Sequence, residues 1–142
     1  MASIFTLLSI LLVGLFSGAT LLIAASLCVH WMSLSPEQYR ISFKAVGPHL
    51  GNVMTPNLFL AAFFSLCMCW VSKHWLVSFL CLLAIFPMYL TIHAPLNKSL
   101  LGALPLSETA LNSMRSKWVQ WHVCRTALAA VAFVFALIGS SV

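Results

Sequence analysis

Three side chains that can do chemistry lie close together near the start of the last apolar segment: Trp118, His122 and Arg125. Their spacings of four and three residues place them on one face of a helix, because an α-helix has about 3.6 residues per turn. Only 6% of the residues are charged, whereas 62% are hydrophobic. Polar groups inside so apolar a segment are costly and are commonly functional. The spacing therefore predicts a binding or catalytic site.

The composition is that of an integral membrane protein. The mean hydropathy is +1.04, and several apolar runs are long enough to cross a hydrocarbon layer of about 30 Å. The first run has no basic residues before it and is longer than the apolar part of a signal peptide, so we expect it to be retained. The net charge of +5 comes from residues between the apolar runs, where it acts on topology and does not indicate nucleic-acid binding.

The hydrophobic pattern predicts an all-α fold, a single four-helix transmembrane bundle that occupies residues 1–142 as one domain. The predicted helices lie at about 4–29, 56–71, 75–94 and 108–138. Ser107 is a suitable N-cap for the last of them. Small residues on the first and fourth helices are expected to allow close packing between helices. They are Gly14, Gly18, Ala129, Ala132 and Ala136. Two longer connections remain, at about 30–55 and 95–117, and both should lie on the same side because the chain crosses twice between them.

The distribution of basic residues predicts how the protein is oriented in the membrane. The two longer connections carry five of them, Arg40, Lys44, Lys98, Arg115 and Lys117, whereas the short connection carries Lys73 alone. Basic residues are retained on the cytoplasmic side. Both long connections are therefore predicted to be cytoplasmic, with both termini on the opposite side.

A second polar group ends the third predicted helix. Tyr89 and His93 lie one helical turn apart, and Asn97 follows where this helix ends. We expect these residues to meet Trp118, His122 and Arg125 of the fourth helix around one cavity at this end of the bundle, which we call the polar mouth. Two simpler interpretations stay open: Trp118 as an aromatic residue at the lipid headgroup level, and Arg125 as a side chain that extends to the membrane surface.

The available side chains limit the chemistry. Glu37 and Glu108 are the only acidic residues, and both lie outside the apolar runs, so a catalytic carboxylate pair is not expected. Histidine is left as the side chain that titrates near neutrality. The histidines at the polar end lack the short spacing of a local metal site, and we predict no cofactor or metal. Haem or a metal held by histidines stays an alternative. The histidines toward that end are His30, His49, His93 and His122.

Pro95 and Asn97 at the end of the third helix, followed by Trp118, His122 and Arg125 in the fourth, form a pattern that resembles the anthrone-oxygenase-like family of small four-helix membrane proteins. Much of that family is known only as a domain of unknown function. The resemblance covers almost the whole chain. It implies the oxygenation of a polycyclic phenolic compound, such as an anthrone, to the corresponding quinone.

The residues and the resemblance together predict roles in such a reaction. His122 would remove the acidic proton as a base, and Arg125 and Asn97 would stabilise the enolate oxygen. The residues predicted to bind the substrate are Trp118, His93 and Tyr89.

A different class of function fits the same polar mouth. The alternative is a non-enzymatic membrane protein that binds a lipid, haem or a partner helix there. The expected partners are the lipid bilayer and a hydrophobic small molecule, and a homo-oligomer is compatible with the sequence.

Overall fold

The computed structural model describes residues 3–141, and within them the chain forms four long helices and no strand. We label them α1 (Ile4–Ser33), α2 (Pro36–Met68), α3 (His74–Leu101) and α4 (Glu108–Ser140). Each is long and apolar enough to cross a membrane. The predicted all-α, four-helix membrane fold is confirmed.

Serine caps mark where two of these helices begin. The Ser35 hydroxyl accepts a hydrogen bond from the Gln38 backbone N–H, while the Gln38 side chain accepts one from the Ser35 N–H. This capping box satisfies backbone donors that the first turn of α2 leaves free. The Ser107 hydroxyl accepts from the Ala110 N–H in the same way, so the predicted N-cap of α4 is confirmed.

The second helix differs most from its prediction. α2 spans Pro36–Met68, so the predicted start at about 56 and the predicted connection at about 30–55 are both wrong. Pro48 and Pro56 lie inside α2 although proline and the nearby glycines usually indicate a loop. Proline is tolerated in membrane helices where neighbouring groups satisfy the carbonyl that loses its partner.

The remaining boundaries also move outward. α1 continues to Ser33, α3 to Leu101 and α4 to Ser140. The second long connection, predicted at about 95–117, is therefore reduced to residues 102–107. Single-sequence patterns locate helices better than their ends, because polar residues can continue a helix beyond the hydrocarbon layer.

Two arginines hold the connections together at one end of the bundle. The Arg115 guanidinium on α4 donates to the backbone carbonyls of Trp31 and Leu34 at the α1–α2 connection. Arg40 on α2 likewise donates to three carbonyls at the α3–α4 connection, those of Leu100, Gly102 and Leu104. The α1–α2 and α3–α4 connections thus lie at the same end.

Small residues allow the helices to approach closely. α1 and α3 each pack against both α2 and α4. Ala129, Ala132 and Ala136 are fully buried on α4, as the stripe of small residues predicted. A Cβ at Gly14 would lie 3.0 Å from the Phe133 ring, whereas one at Gly18 would meet no atom within 4 Å. The prediction that a small residue allows close helix packing is therefore correct for Gly14. It is wrong for Gly18, which has no other helix of the described chain against it.

Candidate active site

A cavity of about 180 Å³ lies between the helices toward the end that holds the two arginine-bound connections. One water molecule needs roughly 10–15 Å³ on the same measure, so the cavity has room for an organic molecule. Most of its wall is aliphatic or aromatic. Its apolar wall includes Phe16 and Ile23 of α1, Phe43, Met54, Leu58 and Phe59 of α2, and Ile85 and Phe86 of α3.

The polar part of the wall comes from α3 and α4. Tyr89, His93 and Asn97 line the cavity from α3, and Trp118 and Arg125 line it from α4. The structure thus brings together five of the six residues predicted for the site. The sixth, His122, does not line the cavity.

His122 is held between α1 and Arg125. Its side chain is fully buried, its Nε2 lies 3.0 Å from the Thr20 carbonyl oxygen, and its Nδ1 lies 2.5 Å from Nη2 of Arg125. A carbonyl only accepts and a guanidinium only donates, so Nε2 carries the proton and Nδ1 accepts. His122 is therefore a neutral imidazole with both nitrogens engaged.

Trp118 separates His122 from the cavity. The two rings stack with centroids 5.1 Å apart and an interplanar angle of 4°. Trp31 and Phe43 pack edge to face against the same indole, at 5.1 and 5.8 Å. Trp118 is only 5% exposed, so the interpretation of this residue as an aromatic at the lipid headgroup level is wrong.

Asn97 is oriented by the Trp118 indole. The indole Nε1–H donates to Oδ1 of Asn97 over 3.0 Å. Because an indole N–H is a donor only, the amide oxygen must face it. The Asn97 amide NH₂ is then left to donate to a ligand in the cavity, which Asn97 lines.

His93 is the unusual member of the site. It is 1% exposed, and neither ring nitrogen has a hydrogen-bond partner. The ring lies near the Met88 carbonyl without meeting hydrogen-bond geometry, and it contacts the Trp118 indole edge to face at 5.5 Å. Buried polar groups without partners are rare in folded proteins and call for an explanation.

Two π-helical turns shape the backbone around this site. One spans Tyr89–His93 in α3 and begins two residues after Pro87, and the other spans Ile23–Cys28 in α1, three residues after Thr20. The Thr20 carbonyl accepts from both His122 and Thr126. Such turns are frequent at functional sites because they alter the register of side chains and of backbone acceptors.

Sequence reasoning missed the contribution of α2. Phe43, Gly47 and Gly51 line the cavity but were assigned to a loop. Ser35 followed by Pro36 and by Gln38 at the third position is a helix-start signal, and it could have revealed that this segment is helical.

A second, more open space between α2 and α3 adjoins the cavity, and we call it the vestibule. Tyr89 and Asn97 line both spaces, as do Gly47, Gly51 and Thr55. The residues that line only the vestibule are Pro48, Asn52, Pro56 and Leu101. The gap between these two helices is therefore the candidate entrance to the polar groups of the cavity.

The histidines do not form one cluster. His93 and His122 flank Trp118, whereas His30 and His49 are exposed. Among residues 3–141 there is no group of three or more His, Cys, Asp or Glu side chains with the geometry of a metal site. The haem alternative stays a prediction, but both nitrogens of His122 are already occupied.

The four apolar helices and the largely apolar cavity between them, with polar groups at one end, define a helical membrane protein with a candidate small-molecule site. The family model described as anthrone oxygenase matches residues 47–135, which is more than half of the chain. The protein belongs to the anthrone oxygenase family, as the resemblance indicated. The match begins at Gly47 on α2 and includes all six predicted site residues. No curated protein and no solved structure matches the chain.

Proposed function

We propose that this protein is a membrane-embedded oxygenase that converts an anthrone-like aromatic substrate to the corresponding quinone. The observation that carries the proposal is the cavity itself, in which an apolar and aromatic wall ends at the side chains of His93, Asn97 and Arg125. A largely apolar pocket with a few convergent polar groups is the usual form of a small-molecule site. The membership of the family supports the same reaction class.

The proposed reaction balances in atoms and electrons. An anthrone and one O₂ give a quinone and one water. A base removes a proton from the methylene carbon between the rings, and the resulting carbanion, delocalised as an enolate, is oxidised by O₂ to a carbon-bound hydroperoxide. The second hydrogen of that carbon then leaves as a proton, the O–O bond breaks, water departs and a C=O bond forms.

In this reaction Arg125 would stabilise the negative charge that develops on the enolate oxygen. Its Nη2 holds His122, but its Nε has no partner and the side chain lines the cavity. Glu37 and Glu108 begin α2 and α4, and the described residues show no carboxylate bound to Arg125. An unneutralised guanidinium in an apolar wall favours an anionic ligand.

The test is turnover by the purified protein. We expect detergent-solubilised protein to consume O₂ and form quinone from an anthrone faster than buffer or boiled protein does. Saturable binding of the anthrone without turnover would support the alternative of a binding protein. An absorbance spectrum together with metal analysis of the same sample tests the haem and metal alternatives.

Blocking the vestibule should impair substrate access. Gly51 lines both the vestibule and the cavity, and a Cβ at this position meets no atom within 4 Å. We expect Gly51→Leu to raise the KM for an anthrone at least tenfold, because the added side chain occupies the passage, while the melting temperature is maintained.

Gly18→Leu is the matched control for this prediction. Gly18 also has open space around its Cβ position, but it lines neither the cavity nor the vestibule. An unchanged KM in Gly51→Leu, or an equal rise in both variants, would contradict access through the gap between α2 and α3.

We further propose that the arginine-bound end of the bundle faces the cytoplasm. Lys44, Lys98 and Lys117 are exposed at this end, whereas Lys73 lies in the connection at the other end. The positive-inside rule then places both termini on the opposite side. Reporter fusions at the C-terminus, active only on one side of the membrane, test this orientation.

A further inference from the structure

We propose that His93, and not His122, is the base that removes the substrate proton, and that His122 is a positioning residue for Arg125. The inference rests on the proposed function, since it assigns the proton-transfer step of that reaction. It reverses the roles that the sequence pattern indicates for the two histidines.

Hydrogen bonding and position both exclude His122 from direct contact with the substrate in this arrangement. A base needs a free lone pair within about 3 Å of the proton that it removes. The Nδ1 lone pair of His122 accepts from Arg125, and Nε2 bears the proton donated to the Thr20 carbonyl. The stacked indole of Trp118 covers the ring, and His122 does not line the cavity.

His93 has the properties that His122 lacks. Its imidazole lines the cavity, and neither of its nitrogens has a hydrogen-bond partner. The ring is 1% exposed, so bulk water does not compete for it. A neutral imidazole has one unprotonated nitrogen, which is available here to a ligand in the cavity.

The wall also places the other required groups beside this base. Asn97 follows His93 by four residues on α3, and Trp118 holds its amide oxygen, which leaves the amide NH₂ as the group that can donate to a ligand. Arg125 lines the same cavity from α4. A planar substrate between these helices can present its acidic C–H to His93 while its oxygen accepts hydrogen bonds from Arg125 and Asn97.

His122 has a different role on this assignment. The His122 imidazole links the Thr20 carbonyl of α1 to the Arg125 guanidinium of α4, and thereby fixes the direction of the guanidinium. Glutamine carries an acceptor and a donor but cannot act as a base near neutrality. His122→Gln should therefore retain much of the function of His122, while His93→Gln should lose the function of His93.

Proton abstraction can be measured separately from oxygenation. Without O₂, in buffered D₂O, the base exchanges the methylene hydrogens of an anthrone for deuterium, which mass spectrometry follows. Proton transfer by a positioned side chain commonly contributes about 10²–10⁴-fold. We expect His93→Gln to slow both exchange and oxygenation by at least about 100-fold, and His122→Gln to stay within about tenfold of the wild type.

Chemical rescue adds a result that a structural role would not give. We expect free imidazole to restore exchange in His93→Ala, in proportion to the concentration of unprotonated imidazole, and to have no effect on His122→Ala. Gel filtration in detergent and the melting temperature verify that each variant is folded.

The outcomes separate this inference from the proposed function. Near-normal exchange in His93→Gln, or a loss in His122→Gln as large as in His93→Gln, overturns the assignment while the oxygenase stands. Wild-type protein that exchanges the anthrone but forms no quinone overturns the oxygenase and leaves the base assigned. Wild-type protein that does neither overturns both.

Discussion

Arg125→Gln should lower the turnover of an anthrone by about 10²–10³-fold, the usual cost of removing one donor to a developing oxyanion in a water-poor site. The guanidinium is the only positively charged group in the cavity wall, as seen in the residues that the structure describes. In the proposed reaction its loss would leave the enolate oxygen with the neutral amide of Asn97 alone. The measurement is steady-state oxygenation, with kcat and KM determined separately.

Arg125→Lys should not restore this loss. An ammonium is a compact charge on a flexible stem, whereas the planar guanidinium can donate to Nδ1 of His122 and to a ligand at the same time. A lysine at this position can occupy one of the two sites but is poorly shaped to bridge them. We therefore expect Arg125→Lys to remain at least tenfold below the wild type.

Lys117→Gln is the control for charge alone. It removes one positive charge from the same helix, but the side chain is exposed and does not line the cavity. We expect its turnover to equal that of the wild type. Normal kcat and KM in Arg125→Gln would refute the proposed stabilisation of the enolate.

Trp118→Ala should cause the largest loss of stability in the site, on the order of 3–5 kcal/mol in the free energy of unfolding. The indole contacts four aromatic rings and donates to Asn97, so its removal opens a void that joins the cavity to His122. The rings in contact with it are those of Trp31, Phe43, His93 and His122. Thermal unfolding in detergent measures the effect.

Two other substitutions test whether this loss of stability comes from the packing of the buried ring. Trp118→Phe keeps an aromatic ring but loses the N–H that donates to Asn97, which should cost about 1 kcal/mol and mainly raise KM. Trp70→Ala removes an indole that is 94% exposed, and its melting temperature should not change. Equal melting temperatures for Trp118→Ala and Trp70→Ala would contradict the packing role of Trp118.

The helix pattern and the identity of the polar residues could be predicted because both depend on local sequence. Apolar runs identified all four helices, and the i, i+4 and i, i+3 spacings put Trp118, His122 and Arg125 on one face of α4. The small-residue stripe of α4 was also correct, since Ala129, Ala132 and Ala136 are fully buried. These features follow from the geometry of a single helix.

The extent of α2 could not be obtained from the same signals. Pro48 and Pro56 break a helix in water, but in a bundle the carbonyls that they leave free can be satisfied by neighbouring groups. One third of the residues that line the cavity were therefore placed in a loop. Such neighbours can belong to other segments of the chain, and local propensity does not reveal them.

The different environments of His93 and His122 likewise depend on the tertiary structure. The sequence determined that this is a four-helix membrane protein with histidine and arginine as its polar chemistry, because composition and spacing are local quantities. Its match to the family model placed it in the anthrone oxygenase family. Only the packing of α1 against α4 decided that the Thr20 carbonyl and Arg125 engage both nitrogens of His122. Only the packing of α3 left His93 buried at the cavity without a partner, because hydrogen bonding depends on which atoms meet across helices.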